Sequence, residues 1–151
     1  MCNNERVLFM TDNRPVIAVI GATGAQGGAV VRALTDRGVF RVRAITRDPA
    51  KYSGPADEVA MADLSDPGSL ESAFANAYGV FALSDFTGAG PDEFTQGRHS
   101  VEAASRAGIR YFVWSTLPDV EEIQRRTVPR PALHGQIPSR CARTRRWVRV
   151  L

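Results

Sequence analysis

Apolar and polar positions come in blocks along the chain. Val16-Ile17-Ala18-Val19-Ile20 is a continuous, β-branched apolar run, the pattern of a strand buried on both faces of a parallel sheet. Gly21 ends it. From Ala25 to Arg37 the period lengthens to that of a helix, with Val30, Val31 and Leu34 on one face and Gly38 as the stop. A second strand spans 39–46 and is broken by Asp48-Pro49; a weaker third spans 58–62. Asp66-Pro67 joins a capping side chain to a proline at the first helical position, opening a helix that turns Leu70, Ala73, Phe74 and Ala77 inward. Gly79 to Leu83 is the fourth strand. A polar, glycine-containing loop covers 84–90, and a helix follows over 91–107 with Phe94, Val101 and Ala104 on its apolar face, closed by Gly108. Tyr111 to Ser115 is the fifth strand.

Strands alternating with helices predict an α/β fold, a doubly wound parallel sheet of Rossmann-like type. Residues 16–123 carry it, after a flexible segment at 1–15, and the sheet is truncated after the fifth strand. Residues 124–151 fit no element, because Pro129, Pro131 and Pro138 interrupt any period.

The loop between the first strand and the first helix carries the clearest chemistry. In Gly21-Ala22-Thr23-Gly24-Ala25-Gln26-Gly27 the glycines permit a tight turn, close approach of backbone to a pyrophosphate, and close packing of helix on strand. Free amides and the dipole at the helix start then hold the diphosphate. The loop follows a buried strand and opens a helix, the context that gives such a motif weight. At the end of the second strand, NAD-binding chains usually place Asp or Glu on the ribose 2′-hydroxyl. Here Thr46 is followed by Arg47, with Lys51 four residues on, so the two cations suit a 2′-phosphate, unless both are ordinary surface charges. NADP(H) is therefore the expected ligand, with NAD the weaker one. Asp63-Leu64 either contacts the adenine or caps its own loop. Ser84-Asp85-Phe86 borders the nicotinamide half at the carboxyl edge of the sheet, although Phe86 equally suits a core position.

These residues resemble the NmrA-like family of atypical short-chain dehydrogenase/reductase proteins. The resemblance is carried by Val16 to Gly28 (VIAVIGATGAQGG), Ala44 to Pro49, Gln96-Gly97-Arg98 and Ala107 to Leu117, and covers about residues 15–123. It implies NADP binding through Gly21 to Gly27, Arg47 and Lys51. It also implies a redox sensor or regulator, acting on a protein partner, rather than a dehydrogenase; reductases of quinone or isoflavone type are the alternative within the same group. Short-chain reductases use a Tyr and a Lys four residues apart, after a Ser near the fifth strand, so that the lysine lowers the pKa of the proton-donating tyrosine. Ser115 suits that serine. Tyr52, Tyr78 and Tyr111 all precede it, and Lys51 is the sole lysine, so no catalytic residue is assigned. His99 and His134 read as isolated surface histidines, and no metal-ligand cluster appears.

Composition adds bounds. The chain has 151 residues and 44% hydrophobic content, enough for one domain core, and no apolar run reaches the roughly 20 residues of a membrane helix. Val7 to Met10 is too short for a secretory signal, and Cys2 and Cys141 suggest neither a disulfide framework nor a zinc site, which fits a cytoplasmic location. Residues 1–123 hold 11 Lys and Arg against 16 Asp and Glu, whereas residues 124–151 hold eight Arg and no acid. A nucleic-acid arm is one reading of that tail. A frame-shifted translation is preferred, because reading permissible codons one base on from Gln124 yields a glycine pair and a His-Phe-Thr-Gly-Lys segment like the one NmrA-like proteins carry there. The loss of later strands would leave Tyr111, Phe112 and Trp114 on an unpaired apolar edge, with weak stability as the consequence.

Overall fold

The apolar run Val16–Ile20 forms strand β1 of a parallel sheet in the computed structural model, which describes residues 12–83, 93–115 and 149–150. Both faces of β1 are covered. Ala18 and Ile20 join the core under helices α2 (Pro67–Phe74) and α3 (Glu93–Arg106), and Val19 joins the smaller core under α1 (Ala25–Arg37). The other strands are β2 (Arg41–Thr46), β3 (Glu58–Met61), β4 (Gly79–Leu83), β5 (Tyr111–Ser115) and a two-residue β6 (Arg149–Val150). Their order in the sheet is β3-β2-β1-β4-β5-β6, all parallel. The winding reverses between β1 and β4, where open sheets of this kind leave a crevice at their carboxyl ends.

β1, β4 and β5 take the bounds that the sequence predicts. β2 starts two residues late. Val16 pairs with Arg41, so Val39 has no strand beside it and is exposed. Asp66 caps α2 as expected, accepting from the Gly68 amide at 3.0 Å, and Leu70, Ala73, Phe74 and Ala77 are buried. The inner face of α3 is more polar than its periodicity suggests. Phe94 and Val101 are half-buried, while Gln96, Gly97, Ser100, Ala103 and Ala104 are buried. Ser100 Oγ donates to the Gln96 carbonyl at 2.9 Å, which satisfies the hydroxyl inside the core.

Three expectations need correction. Residues 12–15 are not a loose extension of the fold: Arg14 pairs with Asp12 and Asp57 at 2.7 and 2.9 Å, and the Pro15 carbonyl accepts from the Arg41 amide. His99 is no isolated surface histidine; it is half-buried, and Nδ1 donates to the Leu64 carbonyl at 3.0 Å, tying α3 to the loop after β3. Nor is the arginine-rich segment without structure throughout, since Arg149 and Val150 lie beside Val113 and Trp114 as β6. A parallel edge offers unpaired N–H and C=O groups, and these two residues take part of the β5 edge that the sequence leaves open. Cys2, Cys141, His134, Ser84-Asp85-Phe86 and residues 124–148 lie outside the described residues.

Candidate dinucleotide site

The glycine loop is built by contact, not only by permission. Gly21 has φ +69°, in the left-handed region that favours glycine, and its carbonyl accepts from the Gly24 amide at 2.9 Å. Gly27 packs directly on that turn. A Cβ there would lie 2.6 Å from the Gly21 carbonyl carbon and 3.0 Å from the Ile20 oxygen. Only a residue without a side chain lets α1 sit this close to the end of β1.

The starts of α2 and of a 3₁₀ turn are closed by side chains. Asp66 caps α2, and Asp48 accepts from the Ala50 amide at 3.2 Å to cap the 3₁₀ turn Pro49–Lys51. α1 has Gly24 at its cap position, with no side-chain cap. The amides of its first turn, including Ala25, Gln26 and Gly27, therefore keep their claim on an anion, reinforced by the helix dipole.

Beside this start lies a cleft of about 400 Å³. It is lined by Ala22, Thr23, Gly24 and Gly28 and by the stretch from Lys51 to Pro55. Lys51 is 82% exposed, with Nζ 3.0 Å from Asp48. Tyr52 lines the cleft with its ring against the core under α1; its hydroxyl is buried without a hydrogen-bond partner, and burial raises its pKa. Arg32 of α1 also lines the cleft.

The structure thus brings Ala22, Thr23 and Gly24 together with Lys51. Arg47 is exposed just beyond β2 and is not among the lining residues. Its charge reaches Asp63, whose carboxyl is held below the usual range chiefly by the Ser65 hydroxyl and amide, at 2.5 and 2.7 Å, and secondarily by Arg47. Asp63 thus caps its own loop. Leu64 packs against the core under α2 and α3. Gln26 points away from the cleft, and its Nε2 donates to Ser115 Oγ at the end of β5, 2.6 Å away. Sequence position hides Arg32 and Tyr52. The one available signal is that Arg32 lies one helical turn beyond Gly28, on a helix whose side chains lean back toward its start. Among the described residues no group of three or more His, Cys, Asp or Glu could hold a metal, and no helix is long and apolar enough to cross a membrane.

A bare helix start, a turn that excludes any Cβ at Gly27, and a cationic wall suit the phosphates of a dinucleotide. The NmrA-like family model matches residues 13–136. The chain belongs to the NmrA-like family. The match continues past Ile123, the limit of the resemblance read from sequence. An NmrA-like family domain-containing oxidoreductase of Aspergillus hancockii, hkm9, is 40% identical over 118 residues, which cover 72% of this chain and 35% of that protein. Among solved structures, the NADP(H) complex of Citrobacter sp. triphenylmethane reductase aligns with a TM-score of 0.56 at 33% identity, over 66% of this chain and 36% of that one. The NADPH complex of Escherichia coli quinone oxidoreductase QOR2 aligns with a TM-score of 0.59 at 28% identity, over 67% and 36%. The chain spans about a third of the length of these NmrA-like and reductase relatives.

Proposed function

We propose that this NmrA-like chain binds NADP(H) in preference to NAD(H) and works as a redox sensor that acts on a protein partner in the cytoplasm. The observation that carries the reading is that the uncapped start of α1 and the ammonium of Lys51 open on one cleft. In this reading the amides of Ala25 to Gly27 hold the diphosphate, and Lys51 with Arg47 meets the 2′-phosphate. Ser84-Asp85-Phe86 is assigned to the nicotinamide half. When bound, the nicotinamide is the group that gives or takes a hydride. Tyr52, Tyr78 and Tyr111 all precede Ser115, and Lys51 is the sole lysine of the 151 residues, so no Tyr–Lys donor pair follows Ser115 within them.

A second reading, an NADPH-dependent reductase of which this chain is the nucleotide-binding part, is favoured by the triphenylmethane reductase and quinone oxidoreductase among its structural relatives. Two measurements test the pair. Calorimetric titration is expected to give tighter binding of NADP than of NAD, with Arg47→Ala erasing the difference; equal affinities, or none, sink the proposal. Consumption of NADPH with a quinone acceptor would move the chain to the second reading.

A further inference from the structure

Arg32, on α1, borders the cleft. Its side chain folds back along α1, so that Nη1 lies 3.5 Å from where a Cβ on Gly28 would stand. Gly28 leaves that space open. Across the sheet, Arg14, Arg41 and Arg43 all pair with carboxylates, and within the cleft Lys51 is tied to Asp48. Arg32 makes no ion pair or hydrogen bond with another described residue.

A second observation points the same way. The Tyr52 hydroxyl, on the same lining, is buried and meets no donor or acceptor in hydrogen-bond geometry; the Ala56 backbone and the Arg32 charge act on it against the larger effect of burial. Buried polar groups are normally satisfied, so this wall is incomplete without a further polar group. Arg32 brings only donors, in a planar fork that matches phosphate oxygens. A compact anion with several acceptor oxygens fits both observations. Lys51, which also lines the cleft, adds a second positive charge.

We infer that Arg32, which lines the cleft together with Lys51, is a specificity-determining residue for the 2′-phosphomonoester of the adenosine ribose. This rests on the NADP(H) reading.

The test uses the 151-residue chain and two probes that differ by one phosphate, adenosine 2′,5′-bisphosphate and adenosine 5′-phosphate, titrated by calorimetry. The wild type is expected to prefer the bisphosphate. Arg32→Gln is expected to cut that preference by about tenfold or more, with adenosine 5′-phosphate affinity and melting temperature unchanged, and Arg32→Lys is expected to restore part of it. A wild-type preference that survives Arg32→Gln overturns the role of Arg32 and leaves the NADP(H) reading standing. A wild type that does not distinguish the two probes overturns both.

Discussion

The two ends of the same strands treat charge in opposite ways. At the amino ends of β2 and β3 every carboxylate finds a cation. Arg14 holds Asp12 and Asp57, and Arg41 and Arg43 share Glu58, Arg43 at 2.7 Å. Main-chain groups are drawn in too: Asp57 accepts from the Val42 amide at 2.8 Å, and Arg43 donates to the Ala73 and Ala75 carbonyls at 2.9 and 2.8 Å. At the carboxyl ends, α1 starts without a cap, the Tyr52 hydroxyl is unpartnered, and Arg32 bonds to no described residue. Groups that serve the fold are satisfied within the chain. Those left over gather where a ligand can complete them.

This contrast breaks most sharply at Gly27. Gly27→Ala forces the turn and α1 apart against backbone atoms, an overpacking cost of about 2–3 kcal/mol. The melting temperature is expected to fall by about 5–10 °C, and NADPH binding, read by nucleotide fluorescence, to be lost. A variant that melts and binds like the wild type would show that the close approach is dispensable. At the other end, Asp57→Ala removes the partner of both the Val42 amide and Arg14. Denaturant unfolding is expected to show a loss of about 1–2 kcal/mol, with NADP affinity unchanged.

Acid probes the same end more gently. The Val42 amide, before Arg14, holds the Asp57 carboxyl below its ordinary 3.8, and the hydrogen bond from Arg14 lowers Asp12 to about 2. Each group ionises more readily in the fold than in the open chain. It therefore lends stability above about pH 4 and withdraws it as the pH falls toward 2. Melting curves between pH 6 and 2 should show the wild type losing stability in that window and Asp57→Ala losing less. The smallest effect is expected at Gln26→Ala, which removes an exposed contact with Ser115 and should change stability by about 0.5 kcal/mol or less.

Local pattern reads well where burial follows the chain. Val16–Ile20 and Gly79–Leu83 are strands with their expected bounds because β-branched or apolar runs end at glycines or polar turns, and Asp66-Pro67 marks its helix because cap and proline act on adjacent residues. The glycine loop is legible for the same reason. What fails depends on distant neighbours. Val39 is outside β2 because β1 starts too late to meet it, and Arg149-Val150 is a strand only because β5 has a free edge. Within the site, Lys51 meets the loop as expected, but the places of Arg32 and Tyr52 in the lining are set by how α1 packs on the sheet, which no spacing in the sequence records.

Gly27 also constrains heredity. Every amino-acid replacement at that position adds a Cβ, and the atoms it meets belong to main chain, which no rotamer change can move aside. Most surface positions drift through graded, similar residues. This one has no conservative neighbour, so the contact between turn and helix persists whole or is broken in a single mutational step.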